Sequence, residues 1–138
     1  MNGRFISATL TGAIVSFLAG WVIFGLLFNN FYITHSVQYI GLYRNPPNLV
    51  ALFVAQLSYA FLLTYIFQKW ANITSFVPGA MAGIIITLPI IVSYDISTWA
   101  MMNLWGKEVV FADVILNCLM GALVGGFIAW VLGFRKTA

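Results

Sequence analysis

"VPGAMAGIIITLPIIVSYDISTWAM", residues 77–101, decides the fold. It is apolar from end to end and carries a single charge, Asp95. A stretch of about 20 apolar residues crosses the hydrocarbon core of a bilayer as a helix. Lipid offers no partner for backbone N–H and C=O groups, so only helices and closed barrels cross it. Barrel strands read as alternating segments of about ten residues. This run is long and continuous, and it predicts a helix.

Three more runs share the pattern. They are "FISATLTGAIVSFLAGWVIFGLLF" (5–28), "NLVALFVAQLSYAFLLTYIFQ" (48–68) and "FADVILNCLMGALVGGFIAWVLGF" (111–134). Residues 1–25 imitate a signal peptide, but the apolar run continues through Phe28, beyond the usual apolar core of about 7–15 residues. The expected fold is therefore all-α: a four-helix transmembrane bundle forming a single domain over 1–138. Composition agrees. The chain of 138 residues is 62% hydrophobic and 7% charged, with mean hydropathy +1.00. A soluble domain carries about 25% charged residues.

The connections set the topology. "RNPPN" (44–48) ends the first loop, and Pro78 suits the first turn of the third helix, where a missing N–H is harmless. Residues 69–76 and 102–110 are short, so neighbouring helices are expected to be antiparallel. Arg4, Lys69, Arg135 and Lys136 then fall on one side, and Arg44 and Lys107 on the other. Basic residues favour the cytoplasmic side, which predicts cytoplasmic N- and C-termini. Trp70 and Trp130 fall near the inner interface and Trp99 and Trp105 near the outer one, as aromatic belts do.

Several chemistries have no residues to run on. The chain has one cysteine, Cys118, and one histidine, His35. It lacks CxxC, HExxH, GxGxxG and P-loop patterns. No catalytic residue, cofactor or metal site is expected. The scattered basic residues speak for topology and against nucleic acid as a partner. The expected partners are the lipid bilayer and either a second copy of the chain or another membrane subunit.

Small residues recur at four-residue spacing: Ala8, Gly12, Ser16 and Gly20; Gly79, Gly83 and Thr87; Gly121, Gly125, Ala129 and Gly133. Such rows let membrane helices approach closely. Three such rows in four helices leave room for one of them to serve a partner. Gln56 and Asn117 are expected to bond between helices.

Only three acids occur: Asp95, Glu108 and Asp113. With His35 and Arg44, they fall towards the outer side in this topology. Pro89 frees the carbonyl of Ile85 and is expected to kink the third helix before Asp95. A carboxylate in a span is costly and needs a partner. Asp95 is therefore expected either to pair with Arg44 or Lys107, or to stay protonated against Asn117 or Tyr94. The functional alternative is an ion or proton site. In a straight helix Asp95 leaves the Gly79–Gly83–Thr87 row and faces with Leu88 and Ile84. Asp113 is expected to open the fourth helix, where acids suit the dipole. Phe31, Tyr32, Tyr39, Ile40 and Tyr43 of the first loop are expected to form an interfacial aromatic helix.

"AGWVIFGLLF" (19–28), the aromatic first loop and "GALVGGFIAWVLG" (121–133) together resemble a group of small bacterial four-helix membrane proteins classed as a domain of unknown function. The group's Trp-Tyr-x-Pro signature is only approximated by "GWVIFGLLF". The resemblance implies a bacterial inner-membrane protein and no activity. The expected function is a non-enzymatic membrane module, either an accessory subunit or a homo-oligomer. The alternatives are a small transporter or channel using Asp95 and Asp113, and a lipid- or quinone-binding protein.

Overall fold

The computed structural model describes residues 2–134. Arg135 and Lys136, half of the basic residues used above to orient the chain inwards, lie outside the described residues. Within them the chain is helical. Helix α1 (Gly3–Gly20) continues as a wider π-helical stretch over Trp21–Leu27. A short helix, α2 (Asn29–His35), follows. Helix α3 (Leu49–Tyr65) likewise widens into a π-helical end over Ile66–Ala71. Helices α4 (Phe76–Met101) and α5 (Lys107–Gly133) complete the described residues. Four segments are long and apolar enough to cross a membrane: Gly3–Leu27, Leu49–Ala71, Phe76–Met101 and Lys107–Gly133.

Local chemistry fixes the ends. Asn2 caps α1 by accepting from the Phe5 backbone N–H at 3.2 Å, and Asn48 caps α3 through Ala51 at 3.0 Å. An asparagine oxygen at this position satisfies one of the N–H groups a helix start leaves open. Asn72 ends the second span in the left-handed conformation, φ 50°, which asparagine tolerates better than most residues. Gln68 donates to Asn2 at 3.0 Å and so joins the end of the second span to the start of the first.

Helix α5 is the centre. Of its most apolar stretch 44% is buried, against 17 to 22% for the other spans. It packs on α1 along one side and on α4 along the other, while α3 packs mainly on α1. The small-residue rows make these contacts. A side chain at Gly79 would meet Ala129 and the Gly125 carbonyl, and one at Gly83 would meet the backbone of Gly121 and Gly125. Gly12 leaves room for Ile128 and Ala60, and Gly20 faces Met120. Ser16 donates to Gln56 across α1 and α3 at 2.5 Å. The rows are thus used inside the chain and leave none over as an argument for a partner.

One expectation about α4 changes. Asp95 does not face with Leu88 and Ile84. Those two are exposed, whereas Asp95 is fully buried on the same side as Gly79, Gly83 and Thr87. A partner crossing along an i, i+4 ridge follows the ridge as it winds. Positions about 160° apart around an isolated helix, such as 79 and 95 at 100° per residue, then fall under the same neighbour. Pro89 lies within α4, on its exposed side, and the helix is continuous through it.

Helix α5 also begins earlier than hydropathy suggests. Gly106 precedes it, Lys107 opens it, and Glu108 occupies its first turn. Helical hydrogen bonding continues past the edge of the apolar run. Asp113 is therefore not a helix-start residue but lies well inside the helix. The expected aromatic helix of the first loop shrinks to α2. Tyr39, Ile40 and Tyr43 follow it, exposed, in irregular chain.

Candidate functional site

Three elements meet around Asp113. Helix α2 opens with Phe28 accepting from the Tyr32 N–H at 3.0 Å, and at its far end Val37 donates to Leu104 at 2.8 Å while Gly106 donates to His35 at 3.3 Å. The last two bonds tie the first loop to the α4–α5 connection. Tyr32 packs edge-on against Phe24 at 5.8 Å, beside a small core of Ile23, Leu116 and Met120. The tyrosine is thus aimed at α5.

Its hydroxyl donates to Asp113 Oδ1 at 2.5 Å. Asn117, one turn further along α5, donates to Asp113 Oδ2 and to the Asp113 carbonyl, each at 2.9 Å. Both oxygens of Asp113 therefore receive a hydrogen. Asn117 was expected to bond across helices; it serves its own helix instead, because an amide at i+4 reaches the carbonyl and carboxylate one turn back.

Asp95 is the opposite case. Its side chain is fully buried, and neither oxygen receives a hydrogen bond. The group it meets is the carboxyl of Asp113. Among the described residues it pairs with no basic side chain and with neither Asn117 nor Tyr94. The expected structural ion pair with Arg44 or Lys107 is absent there. The reason is placement: Arg44 sits in the exposed loop after α2, and Lys107 opens α5, two turns before Asp113.

The other expected members stay apart. His35 is exposed, stacked on Phe31 at 4.4 Å, with its Nδ1 2.9 Å from the Phe31 carbonyl. Glu108 is exposed in the first turn of α5. Arg44 borders an open cleft of about 600 Å³, shared with Phe24, Asn29, Tyr32, Ile33 and Gln38. That cleft opens beside the tyrosine bonded to Asp113. The arrangement brings together Asp95, Asp113 and Asn117, and adds Tyr32. The sequence offered one signal for Tyr32: an acid inside a span needs a donor, and an amphipathic tyrosine nearby can supply one.

A second polar link sits deeper. Tyr59 of α3 bonds with Thr87 of α4, and Thr87 also donates to the Gly83 carbonyl at 2.6 Å. Both hydroxyls are satisfied, so this link reads as structural.

Tyr32 ionises well above the usual tyrosine range. Burial is the main cause, followed by its bond to Asp113 and by the charges of Asp113 and Asp95. An unfolded tyrosine ionises near about 10. Because the folded value is raised, the contribution of Tyr32 to stability is whole below that pH and falls as pH rises above it. Alkaline unfolding in detergent should therefore steepen above about pH 10, and Tyr32→Phe should flatten that dependence. Equal slopes in the two proteins would contradict the half-buried, acid-facing tyrosine.

Comparisons with protein-family models, with curated proteins and with solved structures find no match to this chain.

Proposed function

We propose that this chain is a small membrane transporter or channel for a proton or a monovalent cation, and that Asp95 and Asp113 form its ion site. In this reading neighbouring spans are antiparallel, both termini are cytoplasmic, and the site lies towards the outer face of a bacterial inner membrane. One observation carries it: a fully buried carboxyl with two unbonded oxygens, set against a second carboxyl. An ionisable group inside a membrane segment is costly and is retained where it does work. Two carboxylates sharing a site cannot both stay ionised without a compensating positive charge. A purely structural acid would be expected to have found a donor or a cation, as Asp113 has found two donors.

A second reading has its own support. Helix α4 leans almost wholly on α5, and much of its remaining surface is large, apolar and exposed, including Met81, Ile85 and Met101. Such a face suits lipid, a second copy of the chain or another membrane subunit. One reconstitution separates the readings. The purified chain in liposomes should dissipate an imposed proton or alkali-cation gradient, and Asp95→Asn should abolish that flux. Equal flux in both proteins sinks the ion-site proposal. Flux that appears only when another membrane protein co-purifies transfers the role to a complex, with this chain as its subunit.

A further inference from the structure

We infer that the ion held by the acid pair is a proton, carried by Asp95 and hydrogen-bonded to an ionised Asp113, and that the pair excludes metal cations. The inference rests on the reading of Asp95 and Asp113 as an ion site and names what that site takes.

The hydrogen-bond pattern assigns the roles. Asp113 is the fixed anion. A hydrogen from Tyr32 points at one oxygen and a hydrogen from Asn117 at the other. Donors to a carboxylate stabilise its charged form. Tyr32 stays protonated at ordinary pH, since its surroundings hold its ionisation high, so its hydrogen is always there to give. Asp95 has no such donors. Facing an ionised Asp113, an ionised Asp95 meets only repulsion. One proton on Asp95 turns the contact into an O–H···O bond to Asp113. Binding takes H⁺ from water and changes the charge of the pair from −2 to −1; release returns H⁺ to water. The groups that face Asp95 are Asp113 from α5 and Tyr32 from α2. Tyr94 is its exposed neighbour on α4.

The same pattern excludes a metal. Among the described residues no three His, Cys, Asp or Glu side chains converge. A divalent ion such as calcium takes about 6–8 oxygens. A cation approaching Asp113 would meet the hydrogens of Tyr32 and Asn117 as well as oxygen. Alkali-cation sites inside membrane proteins recruit carbonyls from unwound helix. Here α4 and α5 run as unbroken helices past both acids, and their carbonyls are used by the helices. The carbonyl that Pro89 frees belongs to Ile85, ten residues before Asp95 and about 15 Å along the axis. It cannot ligate an ion held by Asp95.

Infrared difference spectroscopy of the chain in lipid nanodiscs tests this directly. The carboxylic-acid C=O band reports a protonated acid, and the chain has only three acids, of which Glu108 is exposed. The wild-type protein near neutral pH should show one such band. It should shift in D₂O, should be the same in sodium, potassium and choline salts, and should vanish in Asp95→Asn. A band that sodium or potassium removes overturns the proton assignment and leaves the ion site standing. No band in any salt, with no response to cations, overturns both. A band that survives in Asp95→Asn but disappears in Asp113→Asn overturns the division of roles. The wild-type salt series needs no variant, so a poorly folding variant does not blunt the test.

Discussion

Gly83→Ala should pry α4 away from α5 and cost the protein about 2 kcal/mol or more. The added Cβ would meet the carbonyl of Gly121, with the Gly121 carbonyl carbon at 2.8 Å and Gly125 Cα at 3.3 Å. All of these are backbone atoms, so no side chain can swing aside. Overpacking of this kind costs about 1–3 kcal/mol and sometimes more. The intrinsic preference of a helix for alanine returns only about 0.5–1 kcal/mol. The loss falls on α4, which has little besides α5 to lean on. Hydrophobic burial cannot compensate, because lipid tails are as apolar as the helix surface they replace. Gly3→Ala is the control. Nothing lies within 4 Å of its added Cβ, so it should be neutral or slightly stabilising. Unfolding in mixed detergent, followed by helicity, ranks the two. If Gly83→Ala unfolds at the wild-type detergent fraction, the close α4–α5 crossing is wrong.

The sequence made the spans legible because hydropathy and helix length are one-dimensional quantities. Their edges were less legible. Helix α5 recruits Lys107 and Glu108, which no hydropathy window favours, and the first two spans end in π-helical stretches that local composition does not announce. The small-residue rows lie where helices approach closely, and their message is steric and local. Which row meets which is a pairing question, and one chain read alone does not answer it. Asp95 illustrates the limit: on a helical wheel it left the row, yet a neighbour that follows the winding ridge covers it. Tyr32 illustrates another. Its partner Asp113 lies 81 residues away, and no periodicity links positions that far apart. Asp95 and Asp113 were both conspicuous as charges in apolar runs. What distinguishes them is two donors on one and none on the other: Asn117 belongs to Asp113's own helix, and Tyr32 arrives only when α2 folds back over the α4–α5 connection.

That difference predicts unequal costs for substitutions at the two acids. Asp113→Leu should destabilise by about 1–3 kcal/mol, the cost of donors left without their acceptor. Tyr32 is one such donor and the proposed O–H of Asp95 the other; Asn117 keeps its second bond, to the backbone carbonyl of residue 113. The short helix α2 loses its side-chain tie to α5 and should become the first part of the chain to exchange its amide hydrogens. Asp95→Leu strands no protein donor, because none bonds to it. It removes the O–H···O bond of the proposed proton, but both oxygens of Asp113 keep the hydrogens of Tyr32 and Asn117. It should cost less stability than Asp113→Leu while abolishing the proposed ion flux, the trade expected where a group is kept for work rather than for folding. In the double variant the stranded Tyr32 remains but the O–H that Asp113→Leu strands on Asp95 is gone, so its loss should be smaller than that of Asp113→Leu alone. Detergent unfolding of the three proteins and hydrogen exchange across residues 29–35 give the answer. If Asp95→Leu loses as much stability as Asp113→Leu, Asp95 is a structural partner of Asp113 and its role as carrier of the exchangeable charge falls.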